Sequence, residues 1–86
     1  MQLSKDQPLN VIIKTRKETV FNGVAHTITS WNERGEFDIL PFHANFITVA
    51  QKYLVLDKGT ASERKFDIES GILTVSSNKI DVYIGV

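Results

Sequence analysis

The sequence predicts an all-β domain, and three observations carry that prediction. No window of eleven or more residues sustains apolar spacing at i, i+3, i+4 and i+7, so no long amphipathic helix is encoded. Short runs in which apolar and polar residues alternate recur along the chain, giving roughly seven to ten strands. Turn-forming residues, among them Asn22-Gly23, Gly35, Pro41, Gly59 and Ser77-Asn78, separate those runs at regular spacing. Many short strands with such punctuation argue for a two-sheet sandwich or a flattened barrel. With 86 residues the chain makes one domain. It buries roughly 60–65% of the surface its unfolded form exposes, enough for one modest core.

The elements follow in order. Residues 1–8 are polar and end in Pro8, which reads as a loose lead-in to a domain spanning 9–86. Leu9 to Lys14 reads as a strand with Leu9, Val11 and Ile13 on one face. Thr15 to Glu18 is polar and turns the chain. Thr19 to Trp31 is extended, and Asn22-Gly23 within it is either a two-residue hairpin or a glycine bulge in one long strand. Ser30 to Gly35 reads as a loop. Phe37, Ile39 and Leu40 form a short strand that Pro41 stops, because proline lacks a backbone donor and fixes φ. His43 sits on the corner that follows. Phe46–Ala50 and Tyr53–Asp57 read as two strands separated by Gln51-Lys52. Lys58 to Ser62 is a turn, and Arg64 to Ile68 returns from it. Ser70-Gly71 breaks the pattern again. Ile72–Val75 and Ile80–Ile84 flank Ser77-Asn78-Lys79 as a hairpin.

Composition excludes several classes. Hydrophobic content of 42% and charged content of 23% suit a globular domain. Ten basic residues balance ten acidic ones, so no global field draws in nucleic acid or an anionic membrane. There is no cysteine, which rules out disulfides, thiolate metal sites and a cysteine nucleophile. The N-terminus has no signal-peptide apolar region, and no apolar run approaches the length of a membrane span.

Candidate chemistry is sparse. Asp57-Lys58-Gly59-Thr60 is a turn and lacks the phosphate-cradling pattern of a P-loop. The two histidines, His26 and His43, lie far apart in the chain; His26 reads as a partly buried strand residue and His43 as a surface corner residue. No serine motif supports nucleophilic catalysis. Glu33, Glu36 and Asp38 cluster around Gly35. Such carboxylates read as a solvated edge or a protein contact before they read as acid–base or calcium chemistry. Lys14, Arg16 and Lys17 form a small basic turn without aromatic platforms. Trp31 and Phe42 are large rings in loop-like positions. Each covers core or anchors an interface. No catalytic residue, cofactor site or metal site is expected.

The stretch Gly35 to Thr48 resembles the G-E-hydrophobic-G-I-L-P-G-H-A-P-L-L-T signature of the epsilon subunit of F-type ATP synthases, called delta in mitochondria. The match is carried by Gly35, Glu36, Ile39, Leu40, Pro41, His43, Ala44 and Thr48, with Phe37 and Phe46-Ile47 at apolar positions. Upstream, Val20-Phe21-Asn22-Gly23-Val24 is similar to the family's x-F-x-G-x-V strand. Downstream, Glu69 to Val75 resembles its S-G-G-x-L-E-V, and Asn78 to Val82 its N-x-V-T-V hairpin. Several matches in the right order, over about residues 9–86, make the resemblance specific.

The resemblance implies a β-sandwich of about ten strands and a bulge at Asn22-Gly23. It implies a non-catalytic central-stalk subunit that docks on the gamma subunit and faces the polar loops of the membrane c-ring, coupling proton or sodium transport to ATP synthesis. Glu36 and His43 would face the c-ring, with Asp38 and Phe42 beside them and Trp31 as a further interface anchor. The gamma-facing surface would be an apolar sandwich face and its edges. The location implied is the cytoplasmic face of a bacterial inner membrane, or the matrix or stroma side of an organelle, as a peripheral subunit without membrane insertion or nucleic-acid binding. The alternative is a free-standing sandwich adaptor that uses Trp31 and Phe42 on another partner. Departures are Asp38 for a glycine, Phe42 for the glycine after the proline, Asn45 for a proline, and Ser30-Trp31-Asn32 where the family has L-P-G. If that second glycine uses φ > 0, Phe42 must change the corner or carry strain. The family's C-terminal helical hairpin has no counterpart before Val86, so inhibition and ATP sensing through it do not carry over.

Overall fold

A computed structural model describes residues 7–85, and these hold seven β-strands and no helix. They are β1 (Leu9–Lys14), β2 (Thr19–Ala25), β3 (Ile28–Asn32), β4 (Gly35–Ile39), β5 (Phe46–Leu56), β6 (Arg64–Ser76) and β7 (Lys79–Ile84). They form one hydrogen-bonded sheet in the order β2-β1-β7-β6-β5-β3-β4. Most of the lead-in expected over residues 1–8, and Val86, lie outside the described residues.

The sheet works as two layers because β5 and β6 belong to both. The second half of β6, from Gly71, pairs with β7 and with the first half of β5. The first half of β6 pairs with the second half of β5, which in turn pairs with β3. One layer is therefore β2-β1-β7 with the later part of β6 and the earlier part of β5. The other is the remaining halves with β3 and β4. Phe21 of β2 meets Phe66 of β6 edge-on at 6.0 Å, and Phe37 of β4 meets Phe46 of β5 at 6.2 Å, closing the layers at both margins.

Alternation decides what faces inward. Val11, Ile80, Val75 and Phe46 form one inward row across the first layer, and Ile13, Val82 and Leu73 lie in the next. Ile28, Ile39, Leu54 and Leu56 answer from the second layer, and all of these but Phe46 are buried. Burying each such aliphatic side chain favours the fold by about 1.5–3 kcal/mol. The buried Ser30 hydroxyl donates to the Tyr53 carbonyl at 2.7 Å, and among the described residues no buried side-chain polar atom lacks a hydrogen-bond partner.

Several local readings are corrected. The described residues hold seven strands, the low end of the seven to ten read from the pattern and fewer than the ten the resemblance implies, because β5 and β6 each run through what reads as a break. At Gln51-Lys52 the register of β5 shifts and Lys52 takes φ 70°, a bulge that bends the strand without ending it. At Ser70-Gly71 the ladder of β6 passes from one layer to the other. Asn22-Gly23 is neither a hairpin nor a bulge; it pairs regularly with Ile12 and Val11, and the irregularity falls at Val20, between Ile13 and Lys14 of the partner strand. The extended run ends instead at His26-Thr27, whose two N–H groups donate to the Asp57 carboxylate at 2.6 and 3.2 Å. His26 is accordingly exposed, not a partly buried strand residue. Ser30, Trp31 and Asn32 are strand, not loop; the reversal is confined to Glu33-Arg34, and Gly35 with φ 113° supplies the geometry that follows it.

Candidate functional site

The sequence-predicted residues fall into two groups joined through Leu40. Glu36 and Asp38 alternate with the inward Phe37 and Ile39, so both point outward from β4. Asp38 accepts a 2.6 Å hydrogen bond from the Thr29 hydroxyl across the β3–β4 pair. Glu36 is held by two side chains. The Tyr53 hydroxyl donates to one of its oxygens and the Lys58 ammonium to the other at 3.3 Å. The Tyr53 hydrogen bond, then the Lys58 hydrogen bond, hold the Glu36 carboxyl below its ordinary 4.5, while Glu36 pushes the Tyr53 phenol above 10.0. A shallow hollow of about 210 Å³ lies over this trio, bordered by Val55, Glu63 and Lys65.

Phe42 and His43 lie in the corner after β4. The His43 N–H donates to the Leu40 carbonyl at 3.2 Å, closing a turn at Pro41-Phe42. Phe42 adopts φ 66°, so the corner does hold a side chain in left-handed backbone. Its N–H donates to the buried Asn78 carboxamide at 2.6 Å, and the Ser77 N–H donates to the Asn45 carboxamide at 3.0 Å. The His43 ring lies 5.0 Å from that of Phe46. Leu40 is exposed beside this corner and also lines a hollow with Glu36 and Asp38.

Trp31 stands beside the first group, on the outer face opposite Glu36, and away from the second. It pairs with Glu36 in register, and its ring is covered by the Lys52 ammonium at 3.7 Å from the centroid. It pairs with Gln51 on β5. The five residue steps from Gln51 back to Phe46 span about 17 Å of strand, which places Trp31 and the Phe42 corner on separate patches.

Sequence reading missed one surface altogether. Ile47, Val49, Ile72 and Tyr83 share the outer face of the first layer, with Tyr83, Ile72 and Val49 directly opposite one another across β7, β6 and β5. Ile47 is 71% exposed and the other three are 42–53% exposed. Beside them a groove of about 520 Å³ opens where the ladder of β3 stops at Gln51 and leaves Phe46–Ala50, among the described residues, with β6 alone as strand partner. Among the described residues no group of histidine, aspartate and glutamate has metal-holding geometry.

Residues 8–85 match the family model for the ATP synthase delta/epsilon chain, β-sandwich domain. The chain belongs to that family. Two solved structures share the delta/epsilon sandwich fold. One is a chain of the Euglena gracilis mitochondrial ATP synthase, in a structure of OSCP/F1/c-ring in rotational state 1. It matches with a TM-score of 0.80 and 15% identity over 90% of this chain and 50% of that one. The other is a chain of the Tetrahymena thermophila mitochondrial ATP synthase central stalk/c-ring, with a TM-score of 0.73 and 16% identity over 96% of this chain and 67% of that one. This delta/epsilon sandwich thus spans half the length of the Euglena chain. Comparison with curated proteins gave no match.

Proposed function

We propose that this chain is a non-catalytic central-stalk subunit of an F-type ATP synthase. In this reading it docks on the gamma subunit, meets the polar loops of the c-ring, and helps couple proton or sodium transport to ATP synthesis as a peripheral subunit at the membrane surface. The observation that carries the reading is the family match across residues 8–85, which takes in every strand. The apolar outer face of Ile47, Val49, Ile72 and Tyr83 is the gamma-docking face. Its support is that four large side chains with apolar surface are exposed together on one outer sheet face, the kind of surface that marks a protein contact. Glu36, Asp38, Phe42 and His43 form the c-ring side; all four are exposed and run as one strip through Leu40. Trp31, held under Lys52, takes no anchoring role in this reading. The adaptor alternative needs Trp31 and Phe42 on one patch, and their separation speaks against it.

Titration calorimetry against the gamma subunit of the same organism tests the reading. The expected result is one-to-one binding with Kd below about 1 μM, or better than about −8 kcal/mol. Val49→Asp and Ile72→Asp each weaken it by about tenfold or more, because each buries an unpaired charge. Absence of binding at tens of micromolar, with both partners folded, overturns the synthase reading.

A further inference from the structure

An edge strand leaves a row of N–H and C=O groups without a ladder, and charges or prolines usually keep other strands away from it. Among the described residues several stretches of this sheet are edges, and they are not protected alike. β4 carries Glu36 and Asp38 outward, and the first half of β6 carries Arg64, Lys65, Asp67 and Glu69. Phe46–Ala50 of β5 has Asn32 beside it, whose carboxamide donates to the Thr48 hydroxyl at 3.2 Å. β2 is different. It pairs with β1 alone, and Thr19–Ala25 holds no charge and no proline. Its irregularity at Val20 lies at its start and leaves Phe21–Ala25 in regular register. Val20 is 43% and Val24 57% exposed, and a hollow of about 480 Å³ opens along Phe21 to Val24.

This strand is complementary to itself. Run antiparallel to a second copy with the two-fold axis at Asn22, it sets Val20 opposite Val24 on both sides of the axis and Asn22 opposite its own counterpart. Phe21 then faces Gly23. The Phe21 ring already leans over the Gly23 of its own strand, where a Cβ would lie 3.0 Å from it, so a large side chain meets a bare position. The first charge beyond the strand, Glu18, comes beside His26 of the other copy and not beside a second carboxylate. We propose that two copies of this chain associate through β2 in that register, joining their sheets into one. The proposal is independent of the stalk reading. β1, β7 and β6 lie between β2 and β5, and edge pairing extends a sheet without covering its face, so the surface of Ile47, Val49, Ile72 and Tyr83 stays open in the pair.

Sedimentation velocity of the wild-type chain between about 1 μM and 1 mM tests the association. Two paired edges make a small interface, so the expected result is a monomer–dimer equilibrium with Kd on the order of 100 μM. Asn22→Lys sets two ammonium groups face to face at the axis and weakens it by about tenfold or more. Asn22 is exposed, so the variant keeps the wild-type melting temperature to within a few degrees. Val49→Asp, on the separate apolar face, leaves the dimer in place. The register is read by cross-linking, since the chain has no cysteine of its own. Under copper–phenanthroline oxidation Asn22→Cys forms a disulfide-linked dimer. Val24→Cys does not, because its two thiols stand four residue steps apart across the axis, about 13 Å, beyond disulfide reach. A chain that stays monomeric at about 1 mM overturns the proposal. So does a dimer lost in Val49→Asp but kept in Asn22→Lys, or equal cross-linking of the two cysteine variants.

Discussion

At the scale of single residues, Asn78 has more consequence than its place in a surface turn suggests. It takes φ 62°, its side chain receives the Phe42 N–H, and its carbonyl receives the Asn10 N–H at 2.8 Å. Asn78→Ala loses one hydrogen bond and adds left-handed strain, for a destabilisation of about 2 kcal/mol. Asn78→Asp keeps an acceptor and tolerates the same backbone, so it costs about half as much or less. Urea unfolding checks this through the midpoint at unchanged slope; equal midpoints for the alanine variant and the wild type would refute it. Glu36 makes a pH prediction. Its folded pKa lies below the unfolded value, so its contribution is present above about 4.5 and is lost as pH falls through the lowered value. Tyr53 has the opposite sign: its raised pKa favours the folded state below about 10, and that is lost as pH rises through the folded value. Both effects are small, because Lys58 and Glu36 are about half exposed. Glu36→Gln flattens the acid side of the stability profile and lessens the upward shift of Tyr53 in a spectrophotometric titration, since Glu36 is the largest of its causes. A Tyr53 titration unchanged by that substitution would show the pair not to form. Alternation in β4 makes the outward direction of Glu36 legible in the sequence. Its partner Tyr53, seventeen residues on, and the bond from Phe42 to Asn78, thirty-six residues on, depend on how layers fold over one another, which local pattern does not encode.

At the scale of elements, glycine and polar pairs read as breaks when they can equally serve a strand that turns. Gly71 shows why. A Cβ there would lie 2.7 Å from the Tyr83 carbonyl oxygen, so the residue is bare to let β7 approach, not to end β6. Gly71→Ala forces backbone apart and costs about 1–3 kcal/mol. At roughly 4–8 °C per kcal/mol for a domain of this size, differential scanning calorimetry resolves that easily. A variant that melts with the wild type would mean the two strands can shift apart at no cost. Trp31 likewise lies in a strand where its neighbours suggest a break. Polar neighbours suggest a loop, yet the β3–β4 pairing needs only Glu33-Arg34 for its reversal, and Lys52 covers the ring from the adjoining bulge. The place of the Pro41 corner, by contrast, is legible to within a residue, because proline's missing donor ends a ladder; β4 stops at Ile39, one residue short of the Leu40 that reads as strand.

At the scale of the whole molecule, the all-β class was legible because periodicity of two leaves a mark in every strand. Which face of a strand looks inward was not. In β5 both sets are apolar: Phe46 and Ala50 turn inward while Ile47 and Val49 stand outside, and nothing within the strand distinguishes them. Only the opposing layer decides it, so the gamma-docking face proposed here could not have been named from sequence. The two layers also differ from those of a sandwich whose sheets touch through side chains alone. Such sheets can slide along a plane of contacts that are individually weak. Here β5 and β6 pass from one layer into the other, so a sideways pull on either layer is carried by two covalent backbones and their mutual ladder. Shear between the layers therefore has to stretch or bend those two backbones as well as break side-chain contacts.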